Sequence, residues 1–140
     1  MTENMYDDPI IALARAATGA GTIADAQVTA TADNPLCGDR VTVQLSLDAG
    51  RITKFAHKVR GCALCQAAAS AIGRHALECT PADVANAGET VRKLLKESAT
   101  PPAGAWPELS HFTPVAEHKS RHTCVMLAFD AVAKAAAQAM

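Results

Sequence analysis

Hydrophobic and polar residues alternate with a period near two in the first half of the chain and near 3.6 in the second. Val41, Val43, Leu45 and Leu47 are separated by Thr42, Gln44 and Ser46, and Ile52, Phe55 and Val59 anchor a second run beyond Asp48-Ala49-Gly50. Such alternation predicts two strands, each with one face on a core, and Asp-Ala-Gly between them predicts a hairpin. Residues 26–32, Ala-Gln-Val-Thr-Ala-Thr-Ala, are rich in β-branched side chains but alternate weakly, which predicts an edge strand. Residues 9–17 read as a short helix: Asp7 and Asp8 lie near its positive end, Pro9 is tolerated in its first turn, and Gly19 and Gly21 stop it.

After Gly61 the pattern turns helical. Residues 62–77 are dominated by alanine, with Leu64, Ala68, Ala71 and Ile72 on one stripe, predicting a buried helix. Thr80-Pro81-Ala82-Asp83 combines a capping residue, a first-turn proline and an acid, so a second helix starts there. Gly88 weakens its middle, and Val91, Leu94 and Leu95 carry the apolar face of its second half. Residues 100–104, Thr-Pro-Pro-Ala-Gly, form a loop, and Trp106, Leu109, Phe112 and Val115 mark a short packed helix broken at Pro114. A last helix over about residues 121–139 presents Val125, Leu127, Ala128 and Val132 inward. Strands first and helices after predict an α+β fold, a three-stranded antiparallel sheet with helices packed on one face. Turns this short disfavour parallel winding, which needs crossover connections.

A length of 140 residues fits a single domain over residues 1–140. With 49% hydrophobic but only 4% aromatic residues, the core must be built from Ala, Val, Leu and Ile, which favours close helix packing. Thirteen Lys and Arg balance fourteen Asp and Glu without a basic cluster, which argues against nucleic acid as a partner. No apolar stretch is long enough to span a bilayer, which argues for a soluble domain with no membrane partner. Met1-Thr2-Glu3-Asn4, followed by Asp7 and Asp8, lacks the basic start and apolar core of a secretory signal, so a cytoplasmic location is expected. In a reducing compartment five cysteines argue for metal or thiol chemistry rather than a disulfide framework, and an odd count leaves one unpaired in any case.

Three features converge on that chemistry: Cys37-Gly38-Asp39 ahead of a strand, Gly61-Cys62 at the start of a helix, and Cys124 near the start of the last helix. All lie at element ends, where backbone N–H groups and the positive helix end lower a thiol pKa and favour metal binding. Three sulfurs and one oxygen make a tetrahedral set for Zn(II) or the ligands of an iron–sulfur cluster. The spacing is not that of a zinc finger, which needs paired C-x-x-C motifs. Simple burial of small apolar cysteines is the competing reading for any one of them.

Asn34-Pro35-Leu36-Cys37-Gly38-Asp39, then Arg60-Gly61-Cys62 before a small-residue helix, then Arg121-His122-Thr123-Cys124-Val125-Met126-Leu127-Ala128 resembles the U-type iron–sulfur cluster assembly scaffolds, the NifU N-terminal, IscU and SufU proteins. The resemblance covers roughly Asn34 to the C-terminus, and the first 30 residues resemble nothing securely. It implies Cys37, Asp39, Cys62 and Cys124 as the metal or cluster ligands. IscU-type members place a histidine directly before the last cysteine; here that position is Thr123, and His122 is one residue early. The long stretch between Cys62 and Cys124, including residues 99–118, and Arg121 resemble the SufU-type branch, whose members bind zinc and accept persulfide sulfur from a cysteine desulfurase. A second cysteine in Cys62-Ala63-Leu64-Cys65 is unusual for the family.

The resemblance implies an iron–sulfur cluster biogenesis factor that binds zinc or a nascent 2Fe–2S cluster, takes sulfur from a cysteine desulfurase and serves downstream assembly or apo-acceptor proteins. A cluster scaffold and a zinc-dependent sulfurtransferase-like acceptor, with Cys124 or else Cys62 taking the sulfur, share these ligands; a structural zinc-binding interaction domain is the alternative. Cys65, one helical turn from Cys62, is read as buried, with a fourth thiolate replacing Asp39 as the alternative. Cys79 is read as structural, Arg121 either as steering a sulfur donor or pairing with Asp39 or as solvated, and His57, His75, His111 and His118 as surface or boundary residues. Trp106 and Phe112 are read as anchors for the segment they sit in.

Overall fold

The computed structural model describes residues 8–35, 38–77 and 79–139. Helix α1 (Asp8–Ala16) leads through a loop to strands β1 (Val28–Asn34), β2 (Asp39–Asp48) and β3 (Arg51–Arg60), followed by α2 (Ala63–His75), α3 (Pro81–Glu97), a 3₁₀ segment (Pro107–Glu117), a 3₁₀ turn (Lys119–Arg121) and α4 (His122–Ala139). The strands form one antiparallel sheet in the order β1-β2-β3, and this is the expected α+β fold.

Sequence accounts for most of these boundaries. Ala49 and Gly50 both take positive φ, 52° and 80°, which makes the two-residue turn whose twist matches a hairpin. In β2, Val41, Val43 and Leu45 are buried on the face that receives the helices, while Thr42, Gln44 and Ser46 alternate on the other. Thr80 caps α3 through a reciprocal pair with Asp83: Thr80 Oγ1 accepts from Asp83 N at 3.1 Å, and Thr80 N donates to Asp83 Oδ2 at 3.0 Å. Gly88 does not interrupt α3. A Cβ there would meet the Phe129 ring at 3.2 Å, so the glycine lets α4 come close.

The expected short helix around Pro114 is instead an eleven-residue 3₁₀ segment with Pro107 at its start and Pro114 inside it. Proline has no N–H to donate, which breaks up longer-range helical bonding. Phe112 is fully buried and Trp106 stacks on His75 at 4.6 Å, so both anchor the segment as expected. Glu108, itself buried, accepts from His75 Nε2 at 2.7 Å and from Arg74 Nη1 at 3.4 Å, tying the segment to the C-terminal end of α2.

His57 departs from its expected place at the surface, being only 3% exposed. Residues 19–21 run along the outer edge of β3, where His57 N donates to Gly19 O and Gly21 N donates to His57 O, each at 3.0 Å. His57 Nε2 lies 2.8 Å from Thr18 O, and Thr18 N donates to Ser70 Oγ on α2 at 3.1 Å. Gly73 permits this docking, since a Cβ there would sit 2.0 Å from Thr18 O. The chain leaving α1 thus covers a free strand edge and locks α1 onto α2.

Candidate metal centre

Three elements bring their ends to one point. Asp39 opens β2, paired with Asn34 across the sheet, and its side chain is on the buried face. Cys62 is the N-cap of α2, with extended backbone (φ −73°, ψ 172°), and Cys65 is one turn further in. Cys124 is in the first turn of α4. The potential ligand atoms of Asp39, Cys62, Cys65 and Cys124 all lie within 4.8 Å of one another.

Asp39 is the hub. Its Oδ2 accepts from the Cys65 thiol at 3.3 Å and from the Cys124 thiol at 3.2 Å. Gly61 makes room for it, because a Cβ at that position would lie 2.9 Å from Asp39 Oδ1. Cys65 and Cys124 have no exposed surface, and Cys62 is half-buried.

These surroundings divide the thiols. Cys62 is held at about 5 chiefly by its interaction with the neighbouring Cys65 thiol, outweighing burial with help from the backbone N–H groups of Cys65 and Leu64 and from Cys124. Cys65 is pushed far up, first by its interaction with the Cys62 sulfur, then by burial and by the negative charges of Cys62 and Asp39. Cys124 is pushed up to about 12 by burial first, then by its hydrogen bond to Asp39 and the charge of Cys62. The expectation that helix ends lower every thiol in the set is therefore corrected for Cys124: desolvation and a carboxylate neighbour outweigh the helix terminus.

Of the four ligands implied by resemblance, Asp39, Cys62 and Cys124 converge, and Cys37 lies outside the described residues. Cys65, read from sequence mainly as a buried bystander, belongs to the cluster. Its signal was the i, i+3 spacing to Cys62. Cys79 is elsewhere, its thiol donating to His75 O at 2.8 Å at the end of α2. His122 Nε2 is occupied with the carbonyls of Val115 and Ala116, at 3.2 and 3.1 Å. Three soft sulfurs and a carboxylate oxygen, mostly buried and mutually within reach, suit Zn(II) or an iron–sulfur core.

The model of the NifU-like N terminal domain matches residues 5–103, so the similarity begins well before Asn34, where the motifs alone had placed its start. A nitrogen-fixing NifU-like protein (N-terminal) from Brucella abortus is 35% identical, with a TM-score of 0.90 over 96% of this chain and 94% of that one. A protein from Fervidobacterium islandicum, assigned as an iron–sulfur cluster assembly scaffold for the SUF system, shares the fold at 19% identity, with a TM-score of 0.85 over 94% of this chain and 96% of that one. No curated protein sequence matches the chain. The matched family and the convergence of Asp39 with three cysteines agree, and the chain belongs to the NifU-like N-terminal domain family.

Proposed function

We propose that residues 1–140 form a single NifU-like iron–sulfur cluster assembly domain of the SufU type, which takes sulfur from a cysteine desulfurase and passes it, as cluster or as sulfide, to downstream assembly or apo-acceptor proteins in the cytoplasm. The carrying observation is the meeting of Asp39, Cys62, Cys65 and Cys124 within 4.8 Å in a member of this family. Among the described residues no helix is long and apolar enough to cross a membrane, and thiols left free as in this cluster suit a reducing compartment.

Cys37, Asp39, Cys62 and Cys124 would hold Zn(II) or a nascent 2Fe–2S core, the core being cargo rather than a resident cofactor. When bound, zinc would keep the thiols deprotonated and reduced. The one hard oxygen in a soft set weakens the hold and eases release, which a donor of clusters requires. Cys124, the acceptor expected from sequence, is fully buried with its proton directed to Asp39. Cys62 is half-buried, more accessible than Cys124, and held acidic, and we propose it, the alternative acceptor read from the sequence, for the accepting role.

Anaerobic analysis of metal and acid-labile sulfide in the purified chain, with a cysteine desulfurase assay, tests the reading. About one zinc per chain with desulfurase stimulation marks a sulfur acceptor; labile sulfide marks a scaffold; and zinc with neither stimulation nor sulfide transfer would reduce the site to a structural one. Cys62→Ala and Cys124→Ala should each release the metal.

A further inference from the structure

Cys62-Ala63-Leu64-Cys65 is a C-x-x-C motif at the N-terminus of α2, and its two thiols differ sharply in access. Cys62, on the N-cap, is half-buried and reachable from solvent, whereas Cys65 has no exposed surface. The N-cap and the third helical residue stand on the same turn, and the two sulfurs lie within 4.8 Å of each other. Asp39 Oδ2, 3.3 Å from Cys65 Sγ, is positioned to take its proton. The family resemblance implies Cys37, Asp39 and Cys124 as the ligands beside Cys62, a four-coordinate set that would leave Cys65 free for another role.

We propose that Cys65 is a resolving thiol that cuts a persulfide carried on Cys62 and releases its outer sulfur as sulfide inside the site. This rests on the reading that sulfur arrives on Cys62. Cys65 gives its proton to Asp39, and its sulfur attacks Cys62 Sγ. A Cys62–Cys65 S–S bond forms as the bond from Cys62 Sγ to the outer sulfur breaks, and that sulfur leaves with the bonding pair as hydrosulfide. The outer sulfur gains two electrons, and the two cysteine sulfurs lose them on becoming a disulfide. An external dithiol then returns both cysteines to thiols, supplying two electrons and two protons. The cluster therefore provides sulfide where metal is bound, and each cycle consumes one dithiol.

The full chain is loaded with inorganic polysulfide, freed of excess reagent and kept without added thiol while released sulfide is measured and cysteines are mapped by mass spectrometry. Wild type should release about one sulfide per chain and end with a Cys62–Cys65 disulfide, consistent with intramolecular attack. Cys65→Ser and Cys65→Ala should keep the extra sulfur on Cys62 and release sulfide at least ~10-fold more slowly. The wild-type disulfide map does not depend on either variant folding. Release at the wild-type rate from both variants, a disulfide joining Cys62 to Cys124, or no extra sulfur on Cys62 in the variants would each overturn the assignment. Polysulfide release that depends on Cys65, with no loading by a desulfurase, would support the resolving role and refute the donor reading. Desulfurase loading with release independent of Cys65 would do the reverse.

Discussion

Gly61→Ala probes whether the site depends on room for one carboxylate. The new methyl would stand 2.9 Å from Asp39 Oδ1, 3.0 Å from Cγ and 3.2 Å from Cβ. Carbon contacts are comfortable at about 3.5–4.0 Å, so Asp39 must retreat by roughly 0.3–1 Å. Rotating the carboxylate relieves only the first contact, because Cγ and Cβ are also crowded; the whole side chain has to move. A site holds its geometry to about 0.5 Å, and a displaced Asp39, unlike a deleted one, still fills the space that Cys65 would need to replace it, so metal affinity should fall about 10- to 100-fold, or ~1.4–2.7 kcal/mol. Overpacking should cost the fold about 1–3 kcal/mol.

Gly61 does not have positive φ, so alanine also gains about 0.4–1 kcal/mol from a less free unfolded chain. The net loss in wild type should be about 1 kcal/mol. In an Asp39→Ala background the obstruction is gone and only the gain is left, so the sign should reverse. Urea unfolding of wild type, both single variants and the double variant measures this coupling, and chelator competition for Zn(II) measures the hold on metal. A Gly61→Ala cost that is equal in both backgrounds would refute the reasoning, as would an undiminished zinc affinity.

Asp39→Ala leaves Cys62, Cys65 and Cys124 facing one another. Bound zinc should then exchange about tenfold more slowly against EDTA while cluster assembly fails, and Asp39→Ala/Cys65→Ser should lose that retention, because sulfur holds zinc better than carboxylate does. Faster release from the single variant would make Asp39 an anchor instead. His57 is held below its ordinary 6.5 by burial, against the opposing hydrogen bond to Thr18 O, and its Nδ1 has no partner to receive a second proton. The unfolded chain therefore binds a proton near pH 6.5 that the fold refuses, and stability is lost as pH falls from there through the lower folded pKa. His57→Gln, which can still donate to Thr18 O, should flatten urea midpoints between about pH 7.5 and 5; an unchanged slope would show that other groups set it.

What could be read along the chain was local. The hairpin turn at Ala49-Gly50, the Thr80–Asp83 cap and the alternating strands involve residues a few positions apart, and they stand where the pattern placed them. Placement of Asp39, Cys62 and Cys124 at element ends was legible for the same reason. What escaped depends on distant partners. His57 is buried because residues 18–21 fold back onto β3, and nothing near His57 in sequence announces that. Cys65 could be assigned only to one of two fates, since a first-turn residue faces either a core or a site according to which other ends arrive beside it. Here the ends of β2 and α4 arrive, 26 and 59 residues away in sequence.

The cluster is poised by the order in which its groups give up protons. Asp39, Cys62, Cys65 and Cys124 cannot all be charged in so small and dry a space. Cys62, the most open, is the most acidic of the thiols, while Cys65 and Cys124 are pushed up and donate to Asp39 Oδ2. A divalent metal entering the site replaces those protons, so each thiol that becomes a ligand releases one, and binding strengthens as pH rises. The same arrangement leaves Cys62 the most open and most acidic thiol, with Cys65 and Cys124 buried behind it. A site with four equivalent thiolates would bind metal harder but would have no such division, and the buried carboxylate of Asp39, fitted against Gly61, is what creates it.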